Sequence, residues 1–282
     1  GKTLFFDPRL SGDNKISCAS CHNPKFGWSD GLPRGKSVSG GELLRNVPTI
    51  FNSGLNKFQM WDGRFLSLEE QALKPVSNTL EMNQDIAELP AKLKGIPGYV
   101  SLFKKVFNEE ITLDNIAKAI ASFERTVVST NSAYDRDFKG DEKALSPVAK
   151  KGRLIFLSKG RCALCHGGYN FTNNLFHNLG VPDLGLNDLG RYNVTLLEYD
   201  TGAFKTPTLR SIALSAPYTH NGSLKTLEEV VEFYNQGGGS SKYKDPTMAP
   251  LGLSEDEKSS LVEFLKSLTG EGVEITPPVL PQ

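Results

Sequence analysis

The stretch Cys18-Ala19-Ser20-Cys21-His22 decides how the chain is interpreted, and it returns as Cys162-Ala163-Leu164-Cys165-His166. A Cys-x-x-Cys-His run is typical of covalent attachment of a c-type haem. Its two thiols can form thioethers with the vinyl groups of one porphyrin, and the His can supply the proximal nitrogen to the iron. Both copies are complete and together use all four cysteines. The sequence therefore predicts two haem c groups, with His22 and His166 as iron ligands.

Paired cysteines also occur in zinc sites and in thioredoxin-like redox proteins. A zinc site would require the two pairs to meet, yet they lie far apart in the chain. Neither pair is followed by the spaced His or Cys of a short zinc finger. A thioredoxin-like pair stays open for either copy alone. It gives no reason for a His directly after each pair, and this favours the haem interpretation.

The length and charge of the chain narrow its class. A chain of 282 residues suits one large domain or two of ordinary size. Two haem motifs favour two domains, which we predict to span residues 1–140 and 141–282. The chain has 32 basic and 32 acidic residues, so its charge gives no support for nucleic acid or a membrane surface as a partner. It has no run of 18 apolar residues, and we therefore expect no membrane span.

The haem motifs also bear on the compartment. Haem is attached to c-type cytochromes outside the cytoplasmic membrane, so we expect a periplasmic protein. Gly1 opens directly into polar and aromatic sequence without a visible signal peptide. We therefore expect a mature or trimmed chain whose leader peptide is absent from this sequence. With all four cysteines assigned to haem, no disulfide is left from which to infer the compartment.

Helical periodicity and capping residues dominate the pattern, and alternating strand patterns are scarce, so the fold class is predicted to be mainly α. Residues 1–50 are predicted to be loops with short helices wrapped around a cofactor, and residues 167–203 to be largely irregular. Residues 129–146 are predicted to be a linker, and the tail from Pro277 to be loose. Ser67, Thr226 and Ser254 are predicted to cap helices. The predicted helices are 67 to before Pro75, 85–107 with a break at 95–98, 113–128, 147–157, 227–234 and 254–268.

Several spaced motifs occur in a fixed order along the chain. They are Leu4-Phe5-Phe6-Asp7, Cys18 to His22, Asn46-Val47-Pro48-Thr49, Trp61-Asp62-Gly63-Arg64, Phe123-Glu124-Arg125-Thr126, Cys162 to His166, Phe176-His177-Asn178-Leu179-Gly180-Val181, Lys205-Thr206-Pro207-Thr208-Leu209-Arg210 and Ala216-Pro217-Tyr218. In these residues the chain resembles the bacterial di-haem cytochrome c peroxidases over nearly its whole length. The resemblance implies two cytochrome-c-like haem domains that pack together with a haem–haem interface.

The resemblance also implies roles for individual residues. The N-terminal haem would be peroxidatic and the C-terminal haem would transfer electrons. Gln71, Pro75 and Glu81 match the distal pocket of the peroxidatic haem. Glu81 would take a proton from one peroxide oxygen and return it to the other. Trp61 matches a tryptophan between the haems. Taken singly, each residue has a simpler alternative. Glu81 could be a solvated carboxylate and Gln71 a surface amide. Pro75 could simply end a helix, and Trp61 could be an ordinary core aromatic.

A calcium ion between the domains is implied in the same way. The side chain of Asn46 and the backbone carbonyls of Ser215 and Pro217 match its ligands, with waters completing the shell, and oxygen ligands suit calcium. Asn46 alone could equally be a turn residue. His177 and His220 lie in family-typical segments, and as lone histidines we expect them to be structural.

The chain departs from many of these peroxidases at two places. The loop Ser37-Val38-Ser39-Gly40-Gly41 has no His, whereas many members place there a His that binds the resting peroxidatic iron. Tyr234 stands at the position where the classical peroxidases of the family supply a Met to the second iron. A tyrosine at this position resembles the MauG-like branch of the family. A phenolate ligand should lower the haem potential. Met248 is the rival ligand, and simple core packing of Tyr234 is a further alternative.

Three functions follow from these features. The favoured one is a MauG-like, hydrogen-peroxide-dependent oxidoreductase that oxidises a protein or other large electron donor through a high-valent, bis-ferryl-type state. The second is a peroxide-scavenging cytochrome c peroxidase that receives electrons from a small cytochrome or copper protein. The third is a non-enzymatic di-haem electron carrier. Because family members are often dimers, a homodimer is also an expected assembly.

Overall fold

The computed structural model describes residues 1–271 and 275–282, and within them the chain is mainly helical, as predicted. The strands Phe176–His177 (β1) and Phe204–Lys205 (β2) form one short antiparallel pair. The α-helices in chain order are Lys2–Phe6 (α1), Cys18–Cys21 (α2), Leu68–Ala72 (α3), Lys74–Ser77 (α4), Leu89–Lys94 (α5), Pro97–Phe107 (α6), Leu113–Glu124 (α7), Ala133–Phe138 (α8), Pro147–Leu157 (α9), Tyr192–Thr195 (α10), Leu227–Asn235 (α11) and Glu255–Lys266 (α12). No helix in the described residues is both long and apolar enough to cross a bilayer.

The predicted caps begin helices where the sequence indicates. The hydroxyl of Ser67 accepts a hydrogen bond from the amide of Glu70 at 3.1 Å, and α3 ends at Ala72, before Pro75. Pro75 lies in the first turn of α4, where a missing amide hydrogen costs no hydrogen bond. The hydroxyls of Thr226 and Ser254 cap α11 and α12. Local capping chemistry is therefore a reliable guide to these helix starts.

One predicted helix begins later than expected. Residues 85–107 form α5 and α6 with the predicted break between them, but α5 begins at Leu89 rather than at residue 85. The carboxylate of Asp85 accepts a hydrogen bond from the amide of Ala87 at 2.9 Å. This local turn satisfies the backbone without a helix, which is a common use of Asp.

The buried side chains form two clusters. The first contains Leu4, Trp28, Phe123 and other residues between positions 4 and 127, and the second contains residues between Ile155 and Leu268. Tyr134 packs on the second cluster and Ile275 packs on the first. The domain boundary at residue 140 stays a prediction, and the end of the chain contributes to the core of the first half.

The first part of the segment predicted as a polar linker is packed, whereas residues 138–143 are exposed. Residues 129–146 contain α8, and Ser129, Ser132 and Asp135 within them are buried. Asp135 accepts two hydrogen bonds of 2.7 Å from Arg210, whose side chain is 1% exposed. Burial alone would raise the pKa of Asp135, but the hydrogen bonds from Arg210 and Ser132 lower it. Around α8, therefore, part of the polarity reflects a buried charge pair.

The tail from Pro277 is held at its end, so the prediction that it is loose is wrong there. The amide of Gly98 donates to the carbonyl of Gln282 at 2.8 Å. The guanidinium of Arg9 donates to the carbonyl of Pro281 at 2.9 Å and also pairs with Asp7. These partners lie far away in sequence, and composition alone could not reveal them.

Candidate functional site

A single continuous cavity of about 720 Å³ brings the two Cys-x-x-Cys-His motifs together. Apart from Cys18, every residue to which the sequence analysis assigned a site role lines it. These residues are Cys21, His22, Asn46, Trp61, Gln71, Pro75, Glu81, Cys162, Cys165, His166, Ser215, Pro217, Tyr234 and Met248. The cavity lies between residues of both halves of the chain, and it is apolar enough to suit a large organic group.

The first motif forms the short helix α2, which places Cys18 and Cys21 on one helical face. Ser17 and Ser20 form a capping box at its start. The amide of His22 donates to the carbonyl of Cys18 at 2.8 Å. The imidazole Nδ1 of His22 lies 3.1 Å from the carbonyl oxygen of Trp28. A ring held through Nδ1 leaves Nε2 free to bind a metal.

The second motif repeats this arrangement with a 3₁₀ turn at Cys162–Leu164. The amide of His166 donates to the carbonyl of Cys162 at 2.8 Å, and Nδ1 of its ring lies 2.9 Å from the carbonyl oxygen of Phe171. Burial lowers the pKa of His166 to about 4 and also lowers the pKa of His22. Both imidazoles are therefore neutral at pH 7, which is the form that binds iron.

The four thiols are unpaired, and their surroundings do not activate them. Burial raises the pKa of Cys21 to about 11 and that of Cys162 to about 12. Redox-active cysteines have lowered pKa values near positive charge, so these pairs do not resemble a thioredoxin-like centre. Thiols that form thioethers with haem do not need a lowered pKa in the folded protein.

The comparisons with known proteins agree with this geometry. Residues 1–143 match the sequence profile of the di-haem cytochrome c peroxidase family. The methylamine utilization protein MauG of Methylorubrum extorquens is 41% identical over 286 residues, which cover 100% of this chain and 80% of that protein. The chain belongs to the di-haem cytochrome c peroxidase family. Its relatives are haem peroxidase-type enzymes, and the family carries two haem c groups.

Other members of the family are similar over comparable lengths. The cytochrome c551 peroxidase of Pseudomonas aeruginosa is 37% identical, and the alignment covers 100% of this chain and 81% of that protein. Among solved structures, a MauG-like protein associated with microbial copper homeostasis aligns with a TM-score of 0.89 and 31% identity, covering 96% of this chain and 88% of that one. The diheme peroxidase BthA of Burkholderia thailandensis has the same fold at 22% identity, with a TM-score of 0.81.

The residues of the cavity fit two covalently bound haems of this family. Each motif supplies thiols, and a neutral imidazole whose Nε2 is not used by the Nδ1 hydrogen bond. Lys205 gives an independent indication, because its side chain is buried in the cavity wall and its ammonium group has only the carbonyl of Thr206, 3.5 Å away, as a partner among the described residues. Burial lowers the pKa of Lys205 to about 8. A buried ammonium group requires an anion, which the propionates of a haem can provide.

The predicted distal residues lie together on the side of the cavity next to the first motif. Glu81 accepts a hydrogen bond of 2.7 Å from the amide of Asn78. Burial raises the pKa of Glu81, although the Asn78 hydrogen bond and the charge of Arg64 oppose this shift. The side-chain amide of Gln71 lies 3.8 Å from the sulfur of Met60. Glu81 is therefore a carboxyl group with a raised pKa beside the first motif, as expected for a group that exchanges a proton during a reaction.

Trp61 lies where the two halves of the chain meet. Its indole nitrogen donates to the carbonyl of Asn46 at 2.9 Å, and its own carbonyl accepts from the amide of Lys205 at 2.7 Å. Arg45 joins Asp62, next to Trp61, to Asp188 through bonds of 2.7 and 2.6 Å. Burial favours a higher pKa for Asp62, but Arg64 and Arg45 hold it below the usual value. The indole is thus held by Asn46 of the first half, and the backbone of Trp61 by Lys205 of the second.

Tyr234 projects from α11 into the cavity near the second motif. Burial raises the pKa of its phenol, and the charges of Cys162 and Cys165 act in the same direction. Met248 lines the cavity too, and its methyl group lies beside Gly238, just beyond α11. Both candidate ligands of the second iron, Tyr234 and Met248, therefore lie in the same region of the cavity.

The remaining two histidines have protein partners. Nδ1 of His177 lies 2.6 Å from a carboxylate oxygen of Asp245, and its Nε2 lies 3.2 Å from the amide nitrogen of Asn173. The ring of His220 stacks on Phe204 with 3.6 Å between ring centroids. Burial lowers the pKa of His220 to about 4. These contacts support the expectation that both residues are structural, which stays a prediction.

Sequence reasoning assigned no role to three buried residues of the cavity wall, namely Ser53, Glu124 and Lys205. Glu124 and Lys205 belong to the motifs that carried the family resemblance. A signal for Glu124 was present, because it follows Ile116 and Ile120 at four-residue steps on the apolar face of α7. An acidic residue at a buried helical position is rare and points to a functional site.

Proposed function

We propose that the protein is a MauG-like, hydrogen-peroxide-dependent oxidoreductase that oxidises a protein or another large electron donor. The observation that carries this proposal is the placement of all four histidines of the chain. Two belong to the haem motifs, and His177 and His220 are bound or stacked elsewhere. No imidazole is left for the open side of the first haem, and a peroxide molecule can therefore reach its iron.

The residues around the first haem suit peroxide chemistry. A haem iron with one proximal His supplies an open coordination position and the capacity to accept oxidising equivalents. Glu81 takes a proton from one oxygen of the peroxide and returns it to the other, from which water leaves. Gln71 and Pro75 shape the space around the peroxide. The sulfur of Met60, which also lines the cavity, lies 3.8 Å from the side-chain nitrogen of Gln71.

Tyr234 separates this proposal from simple peroxide scavenging. We propose that its phenolate oxygen would hold the iron of the second haem together with His166. Oxygen ligands stabilise oxidised iron more than a thioether does, so the second haem can share oxidising equivalents with the first. Trp61, fixed between the two halves, is proposed to shorten the electron transfer between them. Tyr234 and Trp61 thus form an oxidising pathway toward a donor at the surface.

The cellular setting follows from the covalent haems. We propose a periplasmic location and a redox protein or protein substrate as partner. A homodimer is the proposed assembly. The two halves, residues 1–140 and 141–282, are proposed as the peroxidatic and electron-transfer domains.

Electron paramagnetic resonance of the purified holoprotein tests the proposed function. The resting protein should show a high-spin ferric signal from the first haem and a low-spin signal from the second. Both signals should be lost for many seconds after stoichiometric hydrogen peroxide is added. A spectrum that is entirely low-spin and unchanged by peroxide would contradict the proposal and support a di-haem electron carrier.

A cytochrome c peroxidase is the second candidate, because the relative from Pseudomonas aeruginosa carries the name cytochrome c551 peroxidase at 37% identity. This function predicts steady turnover of peroxide with a reduced small cytochrome or copper protein, at rates on the order of 1–10³ per second. A high-spin resting signal is compatible with both candidates, so the turnover assay discriminates between them. Fast turnover with such donors would replace the favoured proposal by this one.

We also propose that Asn46, Ser215 and Pro217 bind a calcium ion. The amide nitrogen of the Asn46 side chain donates a hydrogen bond to the carbonyl oxygen of Leu32 at 2.9 Å. The amide oxygen is therefore left to face the cavity. The backbone carbonyls of Ser215 and Pro217 accept no hydrogen bond within the described residues. Three neutral oxygens from both halves of the chain, together with waters, form a shell that suits calcium.

Asn46→Ala should weaken calcium binding about tenfold or more, because it removes the one side-chain oxygen of the shell. Isothermal titration of chelator-treated holoprotein with calcium measures this change. Asn46→Asp is the matched control, since it keeps an oxygen and adds charge, and it should retain binding. Equal affinity in the wild type and Asn46→Ala would show that Asn46 is only a turn residue.

A further inference from the structure

Glu124 is a buried carboxyl group for which the proposed reaction has no use. It lies at the end of α7, its side chain lines the cavity, and the residue is 6% exposed. Its Oε2 atom has no hydrogen-bond partner among the described residues. Buried polar atoms without a partner are rare in folded proteins and require an explanation. The orientation toward the cavity indicates that the missing partner belongs to the first haem site.

The fold buries Glu124 because of its helical position. It continues the apolar row of Ile116 and Ile120, and α7 packs against α1 and α3. The neighbouring cation, Arg125, cannot neutralise it fully, since both terminal nitrogens of Arg125 bind Glu69 at 2.7 and 2.8 Å. Glu124 is therefore a carboxyl group without a dedicated counter-ion.

The surroundings of Glu124 determine its protonation. The charged and titratable groups next to Glu124, or on the side of the cavity that holds the first motif, include the Gly1 amino terminus, Cys18, Cys21, His22, Arg45, Arg64, Glu69, Lys74, Glu81 and Arg125. Burial raises the pKa of Glu124 to about 8, with Arg125 opposing the shift and Glu69 adding to it. At pH 7 the carboxyl group is mostly protonated in the absence of further charge. A new positive charge in the cavity would favour its ionised form.

Ser53 repeats the signal on an adjacent element. It is 5% exposed, and its hydroxyl oxygen also lacks a partner among the described residues. The 3₁₀ turn Ser53–Leu55 contacts α7, and Ser53 lines the same cavity. These two atoms are the buried side-chain atoms that the described part of the chain leaves unsatisfied. Their common location marks this wall as a polar site.

We propose that Glu124 is the proton-holding group of the first haem, taking up a proton when that haem is reduced and releasing it when the haem is oxidised. This inference rests on the proposed function, because it requires a haem beside the first motif. It gives Glu124 a role distinct from that of Glu81, which handles the protons of peroxide. Glu124 instead compensates the charge of the haem itself.

The coupling follows from charge balance. On reduction, one electron from the donor enters the haem and one proton from solvent binds the Glu124 carboxylate; oxidation reverses both transfers. Linkage requires the effect to be reciprocal, so a proton on Glu124 must also make the haem easier to reduce. The reduction potential of the first haem should therefore fall as pH rises between the pKa values of Glu124 in the two redox states.

Spectroelectrochemical titration of the ferric–ferrous couple in the holoprotein tests the inference, from about pH 5 to about pH 10. In the wild type, the reduction equilibrium of the first haem should change up to tenfold per pH unit, which is about 59 mV for one electron. Glu124→Gln, which is isosteric and cannot ionise, should abolish most of this dependence. Glu110→Gln is the matched carboxyl control and should retain the dependence, because the Glu110 carboxylate is exposed and pairs with Lys94 outside the cavity lining. Glu81→Gln is measured as well, to test whether the distal carboxyl group accounts for the slope instead.

Infrared difference spectroscopy gives a second measurement that needs no variant. Reduction of the wild-type protein should produce the carbonyl band of a protonated carboxylic acid, and labelling of glutamate with ¹³C should shift that band. A pH-independent potential, the same slope in Glu124→Gln, or a slope that only Glu81→Gln removes would overturn the inference. Because no peroxide is used, such a result is separate from a failure of the protein to react with peroxide.

Discussion

Glu81→Gln should slow the reaction of the ferric protein with hydrogen peroxide by roughly 10²–10⁴-fold, the usual contribution of a positioned acid–base group. The glutamine keeps the size of the side chain but cannot accept a proton. Peroxide must lose a proton from one oxygen and gain one on the oxygen that leaves as water. Stopped-flow absorption of the haem bands at several peroxide concentrations measures the rate constant of this step.

The protonation of Glu81 predicts the pH dependence of the same rate. Burial raises the pKa of Glu81, and only the ionised form can accept a proton. The wild-type rate should therefore decrease as pH falls through this raised pKa, and Glu81→Gln should lose that dependence. The matched control is Glu69→Gln, because Glu69 is a carboxylate that pairs with Arg125 at 2.7 Å and lies outside the cavity lining. A Glu81→Gln rate within about twofold of the wild type would reduce Glu81 to a solvated helix-end carboxylate.

The parts of this protein that could be predicted from sequence depend on short-range chemistry. The haem motifs are contiguous, and the caps at Ser67, Thr226 and Ser254 act within three residues. The mainly α fold class follows from the same local signals. The resemblance to the family supplied what periodicity could not, namely that residues as distant as Trp61 and Tyr234 belong to one site. The structure brings both to one cavity.

Other features depend on partners that are distant in sequence. The polarity of residues 129–146 suggested a linker, but the part around α8 is packed, and Asp135 in it pairs with Arg210. The end of the tail accepts hydrogen bonds from Arg9 and Gly98, although its prolines suggested a loose segment. Ile275 likewise packs on the core of the first half. Such long-range pairs leave no periodic pattern that a reading of the sequence could detect.

The buried ionisable residues form a third class. The sequence indicates that they are unusual, but it does not indicate what they do. Lys205 and Glu124 both stand within motifs that carried the family resemblance. Helical periodicity places Glu124 on a buried face, where an ordinary carboxylate is costly. Only the structure shows that both residues line the cavity of the haem motifs. A charged cofactor in that cavity can offset the free energy that it costs to bury them.

Tyr234→His should raise the reduction potential of the second haem by on the order of 100 mV, a modest part of the range that axial ligands set. The neutral imidazole gives up the preference of an anionic phenolate for oxidised iron. The ferric low-spin signal should change at the same time, because a nitrogen replaces an oxygen. Potentiometric titration followed by absorption, together with electron paramagnetic resonance, measures both changes.

Two further variants decide between the candidate ligands. Met248→Leu removes the rival sulfur at nearly constant volume and should leave the spectrum and potential of the second haem unchanged. Tyr234→Phe removes only the phenol oxygen, and the second haem should then become high-spin or take up the sulfur of Met248. If Tyr234→His leaves the spectrum as it was while Met248→Leu alters it, the second iron has a thioether ligand. The MauG-like proposal would then give way to the cytochrome c peroxidase function.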